Sequence, residues 1–263
     1  MYVLENNSGG SIEASGKSLR GYLKEYRKLG NHVKRYKFAQ ALVFGKDVID
    51  FGCGYGAGAV FLYGRYKNYF GIDIDEEAIA YAKSKIEPNY KGSHFYKLTD
   101  FLELNPPVMS EVVICFEVFE HVKDVEGLIS LLKSMVKKNG KILFSTPNGL
   151  SSNGNKLLFR SKFHIYEFTP VEFFNLLSPH GALSMYGERR IDSMDVRALK
   201  NRMNSVNGKI DSKNDYPSSL GDSILFKLAN RFLNGSFFWK IYQINPLNET
   251  VLTCSTLLTV LEP

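Results

Sequence analysis

Hydrophobic positions along this chain switch between two periods. Short apolar runs bounded by polar or glycine residues read as strands: Asp47 to Phe51, Gly71 to Asp75, Ser93 to Leu98, Val112 to Phe116 and Lys141 to Ser145. Between them lie stretches with helical spacing. One is DEEAIAYAKSKIE, whose Ala78, Ile79 and Ala82 give a narrow apolar stripe, with acids in its first turn and lysines in its last, as the helix dipole favours. Another carries Val125, Leu128, Ile129, Leu132, Met135 and Val136 and stops at Asn139-Gly140. Alternation of strand and helix through five rounds argues an α/β chain with an open, mostly parallel sheet. Beyond it, Thr169 and Glu172 form a capping box with Pro170 in the first helical position, which predicts a helix to about Ser178. A sixth strand follows at Ala182 to Ile191, and a seventh at Thr250 to Leu261.

The flanks carry less regular signals. Residues 1–16 are polar and glycine-rich, a flexible arm, and residues 17–45 suit two N-terminal helices broken at Gly30. In the second of these, His32, Arg35 and Tyr36 share one face at i, i+3 and i+4. That face is a candidate to touch ligand or substrate; helix packing explains it as well. Between the sixth and seventh strands, residues 192–248 exceed any ordinary hairpin loop. Leu220, Ile224, Leu225, Leu228, Ala229, Phe232 and Leu233 give this segment a helical apolar face, followed by Phe237, Phe238, Trp239 and Tyr242. It reads as an inserted helical cap within a single domain, 1–263, serving as substrate lid, homodimer contact or peripheral membrane contact.

The chemistry concentrates in Val48 to Asp75. A strand turns into a helix through Gly52, Gly54, Gly56 and Gly58, where glycine lets the backbone approach a ligand closely. Asp73, ending the next strand, is placed to accept hydrogen bonds from ribose hydroxyls, so the unit recognises a nucleoside. Gly54, Gly56 and Ala59 also satisfy the relaxed dinucleotide fingerprint. Asp50 weighs against it, since a carboxylate there would repel a pyrophosphate yet suit an ammonium group. Here the chain resembles the class I S-adenosylmethionine-dependent methyltransferases, whose D-x-G-x-G-x-G signature stands as Asp50-Phe51-Gly52-Cys53-Gly54-Tyr55-Gly56. The resemblance implies a Rossmann-like seven-stranded sheet with helices on both faces and an antiparallel last strand. It also implies S-adenosyl-L-methionine as cofactor, held by Asp50, Gly52, Cys53, Gly54, Tyr55, Gly56, Asp73, Ile74, Asp100, Phe101, Phe116 and Glu117. Asp100 would serve the adenine amino group, with a helix N-cap as its alternative. Asp50, Asp73, Asp100, Glu117 and Asn148 all fall at or just beyond strand ends, the edge where open α/β sheets bind ligands.

More narrowly, HVKRYKFAQALVFGKDVIDFGCGYG, CFEVFEHVKD, LFSTPN and FHIYEFTPVEFFNLL resemble methyltransferases found with bacterial glycan-modifying enzymes, relatives of the ubiquinone-biosynthesis O-methyltransferases. The activity so implied is O-methylation of a sugar or other small-molecule hydroxyl. An RNA or protein methyltransferase and a non-catalytic S-adenosylmethionine-binding subunit are the alternatives. Transfer to a hydroxyl needs alignment and one base, for which His121 and His164 are the candidates, one and not both. His32, Arg35, Tyr36, Asn148, Tyr166 and Glu167 are candidates for acceptor contacts. Glu117 and Glu120 share a face with His121 if their turn is helical, but no further acid is evident and no metal is expected.

Composition adjusts this picture little. Hydrophobic residues at 44% and charged residues at 23% are ordinary for a globular chain. The net charge of +6 sits in two segments: residues 17–46 carry nine basic side chains against Glu25, and 189–248 carry ten against five acids. Solvated helix faces or an anionic acceptor explain such runs, and nucleic acid is not expected. The three cysteines, Cys53, Cys115 and Cys254, match no zinc or redox spacing and read as packing residues. No apolar run approaches the ~20 residues of a membrane span and no signal-peptide core is visible, so a cytoplasmic location is expected.

Overall fold

The computed structural model describes residues 31–105, 107–150, 163–190, 239–243 and 256–263. The expected arm 1–16, the first of the two N-terminal helices, the apolar face Leu220 to Leu233, and Cys254 lie outside these residues. The strands are β1 (Asp47–Phe51), β2 (Asn68–Asp73), β3 (Ser93–Lys97), β4 (Ser110–Phe116), β5 (Val136–Pro147), β6 (Ala182–Arg190), β7 (Trp239–Gln243) and β8 (Thr256–Glu262). They form one sheet in the order β3-β2-β1-β4-β5-β8-β6-β7. Neighbours from β3 through β5 are parallel, whereas β8 runs antiparallel to both β5 and β6. The expected seven strands are therefore β1 to β6 and β8, with the last reversed.

β7 is an eighth strand. It comes from the segment expected to be a helical cap, and it pairs antiparallel with β6 from Arg190↔Trp239 to Tyr186↔Gln243. The sequence WKIYQ is rich in residues that suit a pleated surface, and the outer edge of β6 would otherwise present unpaired backbone groups. Pairing with that edge satisfies them.

The helices are α1 (Asn31–Ala39), α2 (Ala57–Phe61), α3 (Glu76–Lys85), α4 (Leu98–Leu102), α5 (Val125–Met135) and α6 (Pro170–Leu177). Caps fix their starts. Asp75 accepts from the Glu77 and Ala78 amides, Asp124 from Gly127, and Thr169 and Glu172 form the expected capping box. α5 ends earlier than its apolar spacing predicts. Val136 already belongs to β5, and Asn139, at φ +63°, bends that strand rather than stopping a helix. Pairing of Val136 with Ser110 holds the chain extended there, so sheet hydrogen bonds override the helical pattern.

Alternation along the strands divides the core in two. Ile49, Val113, Cys115, Ile142, Phe144, Leu257 and Leu261 point to the face covered by α4, α5 and α6. Val48, Val112, Ile114, Leu143 and Leu258 point to the face covered by α1, α2 and α3. Because Asp50 follows Val48 by two residues, its side chain points to the α1 face. Among the described residues no helix is long and apolar enough to cross a membrane.

Candidate active site

The carboxyl ends of β1, β2 and β4 build the first half of the site. After β1 the chain turns on Gly52, Gly54 and Gly56, all with positive φ (78°, 51° and 81°), a conformation side chains disfavour. The Gly54 amide donates to Asp73 Oδ2 at 2.7 Å, and the Asp75 amide donates to Asp73 Oδ1 at 3.0 Å. A carboxylate offers about four acceptor positions, so Asp73 ties the glycine turn to β2 and keeps capacity for a diol. A Cβ at Gly54 would meet nothing within 4 Å, leaving open space beside the turn. These features fit the ribose and methionine portions of S-adenosylmethionine. Ile74 packs partly buried on the core, Tyr55 stacks edge-on against Tyr81 at 5.4 Å, and Cys53 is buried, which pushes its thiol pKa up.

Asp50, expected to suit an ammonium group, is engaged through one oxygen by two core tyrosines. It is 1% exposed, and its Oδ2 accepts from the hydroxyls of Tyr36, at 2.9 Å, and Tyr69. Burial raises its pKa to about 7. A Cβ at Gly58 would collide with Asp50 Oδ2, the Tyr69 hydroxyl and the Tyr36 ring, so that glycine makes room for this trio rather than for a ligand. Tyr36 is thereby committed to packing α1 on β1. Arg35, 2% exposed, is committed too: it lies 3.2 Å from Glu117 and 3.7 Å from Glu188, with Thr256 at 3.5 Å. His32 lies in α1, but its side chain is outside the described residues.

The other expected residues divide similarly. Asp100 is exposed in the first turn of α4, where Lys97 rather than Asp100 occupies the N-cap position. Phe101 is buried in the core and Phe116 packs edge-on against Tyr36 at 5.5 Å, so both offer a ligand little beyond backbone. Glu117 has φ +55°, an uncommon conformation for a side-chain-bearing residue and one that collects at functional sites. It is held by Ser145 Oγ, which donates to Glu117 Oε1 at 2.9 Å, and by Arg35 at its other oxygen.

The second half is a cluster on loops after β4 and before α6. Phe119–His121 forms a 3₁₀ turn, with Phe119 fully buried edge-on against Phe144 and Phe173. The Ile165 and Tyr166 amides donate to the Glu120 carbonyl at 2.7 and 3.3 Å, which brings the loop carrying His164 across that turn. The two imidazole rings then sit 5.0 Å apart. His121 Nδ1 lies 3.0 Å from the Phe163 carbonyl, which can only accept, so Nδ1 carries the proton and Nε2 the lone pair. Burial lowers the His121 pKa, with the hydrogen bond to the Phe163 carbonyl opposing the shift. His164 Nδ1 lies 2.7 Å from Glu167 Oε1, an arrangement that orients its Nε2 in the same way. Glu167 is thus a support for His164, while Tyr166 is exposed with its hydroxyl donating to the Lys123 carbonyl at 3.3 Å. Asn148 is fully buried and accepts from the Leu150 amide at 3.1 Å.

Glu120, 1% exposed, completes the cluster: one ligand-capable atom from each of Glu120, His121 and His164 lies within 4.8 Å of the others. No metal was expected from Glu117, Glu120 and His121; the third group that the fold sets beside Glu120 and His121 is His164, 43 residues further along the sequence.

Residues 23–211 match the sequence pattern of a family described as a methyltransferase domain. The chain belongs to this methyltransferase family. The glycine turn and the Asp73 carboxylate at the end of β2 suit S-adenosylmethionine as the methyl donor. The methyltransferase is 30% identical, over 52% of its length, to a probable S-adenosylmethionine-dependent methyltransferase of Mycolicibacterium smegmatis, covering 52% of that protein. It is 31% identical, over 40% of its length, to a ubiquinone biosynthesis O-methyltransferase of Glaesserella parasuis, covering 47% of it. The chain spans about half the length of these curated relatives. Its fold is similar to that of an S-adenosylmethionine-dependent methyltransferase from Archaeoglobus fulgidus, with a TM-score of 0.54 and 16% identity over 90% of this chain and 94% of the other.

Proposed function

We propose that this methyltransferase transfers the methyl group of S-adenosylmethionine to a hydroxyl of a small molecule, a sugar in a nucleotide sugar, glycan end or glycolipid. The observation that carries the reading is the imidazole pair. Both Nδ1 atoms are engaged by acceptors, so both Nε2 atoms are left to act on an acceptor proton at the ligand edge of the sheet. A hydroxyl needs such help and a more nucleophilic amine needs less. Similarity to ubiquinone biosynthesis O-methyltransferases supports oxygen as the acceptor atom. The sugar class rests on the resemblance of the CFEVFEHVKD and FHIYEFTPVEFFNLL stretches to methyltransferases associated with glycan-modifying enzymes.

The test is a panel of hydroxylated acceptors (nucleotide sugars, free glycans, catechols) assayed for S-adenosylhomocysteine release. Turnover confined to sugars supports the reading; turnover only with catechols or amines overturns it. Ala substitution of whichever of His121 and His164 is the base should lower kcat by roughly 10²- to 10⁴-fold with donor affinity nearly intact.

A further inference from the structure

We propose that Glu120, His121 and His164 together hold a divalent first-row transition ion at the acceptor side of the active site. Three features point to it. The ligand-capable atoms of these residues lie within 4.8 Å of one another. Ligands sharing an ion at ~2.1 Å stand roughly 3 to 3.6 Å apart, so side-chain adjustments on the order of an ångström complete the set. Next, the surroundings fix each group as ligating residues are fixed elsewhere. His121 Nδ1 donates to the Phe163 carbonyl at 3.0 Å, His164 Nδ1 pairs with Glu167 Oε1 at 2.7 Å, and Thr146 Oγ1 donates to Glu120 Oε2 at 3.1 Å. Each imidazole is left with Nε2, the lone pair a metal takes. Finally, Glu120 is 1% exposed and its Oε1 has no hydrogen-bond partner. A buried carboxylate oxygen without a partner is costly, and a cation beside it removes that cost.

Two imidazoles and one carboxylate select the class of ion. Nitrogen-rich sets of this kind suit zinc, manganese, iron or cobalt, whereas calcium and magnesium prefer all-oxygen sets. With three protein ligands, positions stay open for an acceptor oxygen. The ion's role rests on the O-methyl transfer reading. A hydroxyl bound there releases its proton to solvent more readily, and its oxygen forms the new bond to the methyl carbon as the C–S bond of the donor breaks. The products are the methyl ether, S-adenosylhomocysteine and one proton. With the ion bound, both Nε2 lone pairs serve as ligands, so His121 and His164 act through the ion and neither takes the acceptor proton directly; direct proton acceptance by Nε2 belongs to the ion-free site.

The experiment is calorimetric titration of the full chain, stripped with chelator and desalted, with zinc or manganese chloride alone. One ion per chain is expected, with affinity at least 100-fold lower in Glu120→Gln and His164→Ala and about 10- to 100-fold lower in Glu167→Gln. Thermal melts of the ion-free variants report folding. A second measurement needs no variant: cobalt added to stripped wild type should give a visible absorption band that zinc abolishes. Lack of saturable binding by the wild type, or unchanged affinity in both ligand variants, overturns the site. Since no acceptor is used, this failure is separable from failure of the O-methyl reading, which the acceptor panel decides. Undiminished methyl transfer by stripped enzyme overturns the catalytic role.

Discussion

The hydroxyl of Tyr36, in the helix before β1, donates to Asp50 Oδ2 at 2.9 Å inside the core. The first acid of the glycine signature is therefore a buried brace between α1, β1 and β2, and it has a consequence for stability. Burial raises the Asp50 pKa to about 7, with the hydrogen bonds from Tyr69 and Tyr36 opposing the rise and the charge of Asp73 adding to it. In the unfolded chain the same group titrates near ~3.9. The folded state thus binds this proton more tightly. Its contribution is fully present below about pH 4, falls as pH rises to about 7, and is constant above. Melting temperatures measured from pH 4 to 8 should show a decline that Asp50→Asn flattens. An identical slope in that variant would refute the assignment.

Asp73 should matter for donor binding. Its carboxylate organises the Gly54 amide and offers further acceptor positions to a ribose, so Asp73→Ala should weaken S-adenosylhomocysteine binding by ~1.5 to 3 kcal/mol, the range for charge-assisted hydrogen bonds. Calorimetry measures it directly. Unchanged affinity would remove Asp73 from the site.

Arg35 was a candidate for acceptor contact, and its burial between Glu117 and Glu188 predicts another outcome. Arg35→Met leaves two carboxylates facing each other without their shared cation, and should cost about 3 to 5 kcal/mol in chemical unfolding. A variant of normal stability with only a raised KM would restore the substrate role.

The connection after β6 offers a topological prediction. Since β6 runs in the direction of β5, it emerges at the ligand edge, and the chain returns to that edge because Trp239 pairs with Arg190. Replacing residues 195–234 with a short Gly/Ser linker should keep β7 and leave donor affinity within ~1 kcal/mol, while abolishing transfer to the native acceptor. Retained transfer would make the segment a dimer or membrane contact instead.

What the sequence determined by itself was whatever depends on neighbours along the chain. Strand and helix periods, the glycine turn, the Asp73 strand end and the Thr169-Pro170-Glu172 helix start all follow from local sterics and hydrogen bonding, and each is present in the structure. Tertiary structure decided the direction and company of polar side chains. Asp50 and Asp73 both sit at strand ends, yet alternation along β1 sends Asp50 into the core against Tyr36 and Tyr69. Val136 reads as helix and pairs as strand because Ser110 lies beside it. Trp239–Gln243 reads as part of a cap and joins the sheet because β6 has an edge to cover. Glu120 and His121 become a three-group cluster only when the backbone of Ile165 and Tyr166 bonds to Glu120 and carries His164 across. Such encounters between residues distant in sequence leave no periodic mark, because the energy that fixes them is shared between segments rather than held in either one.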